Sequence, residues 1–134
     1  MIVKVENKKQ LKNFIHFIEV LYKDDPHMVY PIFSVLTKEL TEEVLNTNKY
    51  TALMVYKSSK VVGRILYTID ESKKQGKDIC YFSYFDAIND LSVTKELFDY
   101  MEKDMKTRGI DYIEGTFAPY DPDNRRGVLI KGFD

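Results

Sequence analysis

Between Cys80 and Gly115 the chain passes from an apolar strand through an amphipathic helix into a second strand, and this succession restricts the fold more than any other segment. Ile79 to Ala87 is apolar at nearly every position, the pattern of a central strand covered on both faces. A helix follows from about Lys95 to Arg108, with Leu97, Phe98, Met101 and Met105 on one face. Arg108 and Gly109 close it with a cation for the helix dipole and a glycine for the left-handed C′ position. Tyr112 to Phe117 reads as the next strand. A strand, a crossing helix and a strand in immediate succession predict two parallel neighbours in one sheet.

The rest of the chain supplies what surrounds that unit. Ile2 to Glu6 alternates as a short first strand, and Asn7-Lys8-Lys9-Gln10 has the spacing of a helix N-cap with Gln10 reaching back to the cap's own N–H. Leu11, Phe14, Ile15, Ile18, Leu21 and Tyr22 then share one helical face. Asp24-Asp25-Pro26 ends the helix, because a proline pushes the residue before it out of helical angles. Pro31 is expected to open a second helix whose stripe is Ile32, Phe33, Leu36, Leu40 and Val44. Tyr50–Tyr56 and Lys60–Ile69 read as strands joined by a polar turn, with Gly63 marking a bulge or a close backbone approach. Asp70 to Asp78 is a polar loop, and Gly127 to Phe133 is apolar enough for a last strand. The order is β-α-α-β-β-β-α-β(-β), an α+β fold with a mixed sheet, in a single domain spanning residues 1–134.

Charge and cysteine content narrow the functions. A net charge of −1 offers no basic surface for nucleic acid or an anionic membrane. No apolar run approaches the roughly 20 residues of a membrane span. Cys80 is the one cysteine, so no disulfide closes within the chain and a cytoplasmic location is expected. With His16 and His27 far from Cys80 in sequence, neither a metal site nor a Cys/His nucleophile pair is supported. Asp121-Pro122-Asp123-Asn124 invites a calcium loop, but its last, bidentate position falls on Gly132.

Four separated motifs carry a family resemblance. They are Asp25-Pro26-His27-Met28-Val29-Tyr30-Pro31, Val62-Gly63-Arg64-Ile65, Phe82-Ser83-Tyr84-Phe85-Asp86 with Asn89-Asp90, and Arg126-Gly127-Val128-Leu129-Ile130-Lys131-Gly132-Phe133-Asp134. In this order they resemble a poorly characterised bacterial family within the GNAT superfamily of acyl-CoA N-acyltransferases. Its members are longer, so the chain resembles their N-terminal part, a GNAT sheet cut short after the fifth or sixth strand. The resemblance implies an acetyl-CoA or other acyl-CoA donor and a small amine acceptor. It places the coenzyme along Phe85, Ala87, Ile88, Asn89, Leu91 and Ser92, with Glu114 as candidate base and Tyr120 as candidate proton donor.

One departure from the superfamily pattern stands out. The loop that resembles Arg-x-x-Gly-x-Gly in those enzymes is Asn89-Asp90-Leu91-Ser92-Val93-Thr94 here. It has no glycine, Asn89 replaces the cation, and Asp90, with Asp86 near it, adds negative charge where a pyrophosphate would sit. Asp90 or Ser92 also has the chemistry of a plain helix cap. Two functions therefore stay open: an N-acyltransferase or a degenerate relative, and a non-catalytic GNAT-fold module that binds a partner. An apolar last strand at a sheet edge predicts a homodimer.

Overall fold

The computed structural model describes residues 1–70 and 78–115 and the backbone of 129–131. Six strands form one mixed sheet in sequence order: β1 (Ile2–Lys4), β2 (Tyr50–Lys57), β3 (Lys60–Asp70), β4 (Ile79–Ala87), β5 (Tyr112–Gly115) and β6 (Leu129–Lys131). All neighbours are antiparallel except β4 and β5, which run parallel from Ile79 opposite Tyr112 to Phe82 opposite Gly115. Helix α3 (Leu91–Thr107) makes the crossover, as the Cys80–Gly115 pattern predicts.

Strand alternation sorts the core into two layers. Ala52, Met54, Leu66 and Tyr84 face α1 (Lys8–Leu21) and α2 (Phe33–Leu40), where they meet Phe14, Ile15, Leu36 and Leu40. Leu53, Val55, Ile65 and Cys80 face α3 and meet Val93, Leu97, Met101 and Met105. Each layer buries enough apolar surface to fix the strand register, since a one-residue slip would turn every side chain to the wrong side.

Local signals land close to their expected places. Asn7 caps α1 by accepting from the Gln10 N–H at 2.8 Å, while Gln10 Oε1 accepts from Glu6 N–H at 2.7 Å, one residue before the cap. β1 ends at Lys4 rather than Glu6, although Val5 is buried in the α1-side core and still donates its N–H to Ala52 O of β2 at 2.9 Å. The β2–β3 turn places Ser58 and Ser59 at φ 52° and 66°, the positive values of a type I′ hairpin. Pro31 lies before the Ile32 N-cap of α2, and Ile32 itself is exposed. The stripe through Leu36, Leu40 and Val44 is buried, but after Leu40 the helix widens into a π-helical stretch, Thr41–Asn46, closed by Thr47 N–H donating to Glu42 O. Helix α3 starts at Leu91, a turn earlier than Lys95, because Asp90 supplies the cap. Leu129–Lys131 of the expected strand Gly127 to Phe133 form β6, and the rest of that strand, like the end of the expected strand Tyr112 to Phe117, lies outside the described residues.

Candidate functional site

Where β4 leaves its described pairing with β5, it carries a bulge. Arg64 is opposite Asp86 and Leu66 is opposite Ser83, so Tyr84 and Phe85 together face the single residue Ile65. Tyr84 has φ 50°, a left-handed conformation that a tyrosine adopts only when its surroundings enforce it. A bulge bends the strand and re-aims its main-chain groups, and bulges recur beside active sites.

Beside the bulge lies a buried ion pair. Arg64 is fully buried and Asp86 is 2% exposed. Arg64 Nε and Nη2 donate to Asp86 Oδ2 at 3.0 and 2.8 Å, and Tyr22 Oη donates to Oδ1 at 2.8 Å. Arg64 Nη1 donates to Phe14 O in α1 at 2.7 Å, and the guanidinium lies over the Phe14 and Tyr84 rings at 5.1 and 5.6 Å. This network ties β3, β4 and α1 together at the bulge. It also changes the role of Asp86: the carboxylate is neutralised inside the protein and adds no charge to the loop before α3.

At that loop the chain caps its own helix. Asp90 Oδ1 accepts from Ser92 N–H at 2.9 Å and from Ser92 Oγ at 2.7 Å, and Lys57 Nζ reaches Asp90 Oδ2 at 3.1 Å and Ser92 Oγ at 3.0 Å. The hydrogen bond from the Ser92 hydroxyl, then that from Lys57, hold the Asp90 carboxyl far below the usual carboxylate range, at about 2. The cation beside α3 therefore comes from the β2–β3 hairpin, 33 residues away in sequence.

The opposite face of the sheet holds a groove of about 940 Å³ between the α2/π-helical stretch and strands β3 and β4. Glu39, Glu42, Glu43 and Asp70 line it, against one lysine, Lys49, which approaches Glu43 at 3.9 Å. Tyr81, Ser83 and the bulge residue Tyr84 form its β4 wall. The groove thus runs to the bulge and carries excess negative charge.

The residues expected from sequence fall around these features. Phe85 packs edge-on against Phe98 of α3, and Ala87 pairs with Gly63. Ile88 donates its N–H to Val62 O; Asn89 and Leu91 are exposed at the loop, and Ser92 belongs to the cap. Glu114 is opposite Tyr81 on β5; since its neighbour Ile113 is in the α3-side core, Glu114 takes the groove-side face. Tyr120 and the Asp121–Asn124 turn lie outside the described residues. Among the described residues no group of His, Cys, Asp and Glu is placed to hold a metal ion, and no helix is long and apolar enough to cross a membrane. Sequence reasoning missed the Arg64–Asp86 pair, whose one visible sign is an arginine inside an otherwise apolar stretch, Val61 to Tyr67.

No protein-family model matches the chain. Over 132 residues it is 36% identical to protein YghO of Escherichia coli (strain K12), covering 96% of this chain and 34% of that protein. The chain thus spans about a third of the length of the curated relative it matches. Its structure is similar to an aminoglycoside acetyltransferase from an uncultured soil metagenomic sample, solved with sisomicin, at a TM-score of 0.64 and 14% identity over 89% of this chain and 78% of the other. A predicted acetyltransferase from Clostridium acetobutylicum, solved with acetyl-CoA, superposes at a TM-score of 0.63 and 13% identity over 89% and 82% of the two chains. At these identities the likeness is one of fold.

Proposed function

The chain has the fold of the GNAT acetyltransferases, and from that premise we propose that it transfers an acyl group from a thioester donor such as acyl-CoA to the nitrogen of a small amine. The observation that carries this reading is the bulge at Tyr84–Phe85, standing at the inner end of an acidic groove. A bulge offers main-chain groups to a thioester, and a groove lined by Glu39, Glu42, Glu43 and Asp70 attracts an ammonium group. The structure solved with acetyl-CoA and the one solved with sisomicin, an amine-rich acceptor, support the two halves of the reading by analogy of fold.

In this reading the donor arm follows β4 from Phe85 through Ala87 to Ile88, past Asn89 and Leu91, and the acceptor enters from the groove. The bound ammonium first releases one proton to solvent; the lone pair of the resulting amine then forms the N–C bond to the thioester carbonyl, and the C–S bond breaks with its electrons leaving on sulfur. The proton lost by nitrogen goes to Glu114, directly or through water, and the departing thiolate takes a proton from Tyr120. Glu114 earns this assignment from its groove-side position on β5 beside Tyr81. In this reading the pantetheine arm lies along β4, whereas a backbone cradle for pyrophosphate is blocked where Asp90 accepts from the Ser92 N–H and hydroxyl.

The test is thermal unfolding of the chain with acetyl-CoA, followed by mass spectrometry of a polyamine and aminoglycoside panel. Ligand at a hundred times its dissociation constant stabilises by about 2.7 kcal/mol. No shift and no acetylated amine would leave the self-capped α3 as the decisive feature, and the chain would then be a non-catalytic binding module. We further propose a cytoplasmic homodimer, supported by the free Cys80 and by β6 at one edge of the sheet. A light-scattering mass near 15.8 kDa that ignores concentration would overturn the dimer.

A further inference from the structure

We infer that the donor is recognised through its acyl-pantetheine arm and not through a nucleotide, and that Asp90 is the residue that sets this preference. The inference rests on the acyl-transfer reading and concerns which part of the donor the protein holds.

Three observations converge on it. First, three main-chain donors at the start of α3 are already committed: Ser92 N–H to Asp90 Oδ1 at 2.9 Å, Val93 N–H and Thr94 N–H to Asp90 O at 3.1 and 3.3 Å. A diphosphate would have to displace the chain's own cap to reach them. Second, the connection is tight. Ile88 is tied to Val62 O by its N–H at 2.9 Å, and Asp90 N–H donates to Ile88 O at 2.7 Å, so no loop is left to wrap around a phosphate. Third, Lys57 at this position spends its charge on Asp90 and Ser92. Around the same loop two exposed side chains are apolar, Ile88 at 36% and Leu91 at 86%, beside the polar Asn89 and Ser92, and the apolar pair suits the branched dimethyl portion of pantetheine.

An acyl-pantetheine arm has two sources: free acyl-CoA, whose nucleotide would stay in solvent, and the phosphopantetheine arm of a carrier protein. Both share the chemistry recognised here. Calorimetry of the full chain with acetyl-pantetheine, acetyl-CoA and an acetylated carrier protein separates them. The expected result is that acetyl-pantetheine binds within about threefold of acetyl-CoA. A carrier-borne arm that binds tighter than both identifies the carrier as the source; equal affinities identify the free thioester. Asp90→Asn keeps a good helix cap but releases Lys57 from its counter-charge. It is expected to raise acetyl-CoA affinity by up to about fivefold at low salt and to leave acetyl-pantetheine unchanged. Acetyl-CoA binding more than about tenfold tighter than acetyl-pantetheine in the unmodified chain would overturn the inference and leave acyl transfer standing. Failure of all three thioesters to bind a folded chain would remove the acyl-transfer reading itself.

Discussion

Arg64→Met should cost more than any other single polar substitution in this chain. The guanidinium makes two hydrogen bonds to one carboxylate oxygen, at 3.0 and 2.8 Å, and a third to the Phe14 carbonyl at 2.7 Å, with no solvent exposure. Removing it strands the Asp86 carboxylate in the core, and breaking a buried pair in this way costs about 3–5 kcal/mol. Asp86→Leu should cost a similar amount by stranding the cation. Replacing both partners together leaves no buried charge; among the remaining losses are the Tyr22 hydroxyl bond to Asp86, about 1–3 kcal/mol, and the Arg64 bonds to the Phe14 and Ile15 carbonyls. The double variant Arg64→Met/Asp86→Leu should therefore be more stable than either single variant, with a coupling of several kcal/mol. Urea unfolding followed by circular dichroism measures this directly. With a slope of about 2 kcal/mol/M, each single variant shifts the midpoint down by about 2 M. Single variants that lose under about 1 kcal/mol, or a double variant equal to the sum of the singles, would refute the reasoning. The second result would mean that the two groups do not depend on each other.

Other expectations follow from the same geometry. Asp90 has a folded pKa depressed to about 2, so its contribution to stability is present above the unfolded value near 4 and is lost as pH falls from about 4 to 2. The stability gap between the unmodified chain and Asp90→Asn should close across that window in urea titrations; a gap that is constant with pH would contradict the cap's electrostatic role. Burial pushes the Cys80 thiol up to about 12, so alkylating reagents at pH 8 should label it only as fast as the chain unfolds. Rapid labelling in native buffer would contradict the packing of Cys80 under α3. Glu114→Gln should lower kcat for amine acetylation by about 10²-fold or more while leaving donor affinity unchanged; an unaltered kcat would remove Glu114 as the base.

The parts of the fold written locally were legible in the sequence. The apolar run Ile79–Ala87, the helical stripe from Leu97 to Met105 and the stop at Gly109 give the parallel crossover because each is a short-range pattern. Asn7 was readable as a cap for the same reason, and Gly63 as either a bulge or a close approach, of which the contact with Val93 and Leu97 bears out the second. The centre of the site was not. Arg64 meets Asp86 only because β3 and β4 pair in one register, 22 residues apart, and a charged residue among apolar neighbours carries no label for its partner. The left-handed Tyr84 lacked the glycine that usually announces such a bulge. The acidic groove joins Glu39 and Glu43, which look like a solvated helix face, to Asp70 from the far end of β3. Lys57 at the start of α3 was hidden in the same way, since a hairpin lysine reads as surface until the hairpin is placed.

Gly63 sets a dimension. A methyl group there would stand 2.6 Å from Val93 Cγ1, 3.1 Å from Leu97 Cδ1 and 3.4 Å from Ala87 Cβ, so the first turns of α3 rest on the sheet with no side chain between them. The height of the α3 N-terminus above β4 is thus gauged by one hydrogen atom. Any larger residue would act as a shim, tilting the helix outward about its buried C-terminal half and widening the gap beside Ala87 and Ile88. The spacing between α3 and β4 can therefore be retuned from beneath, at the buried position 63.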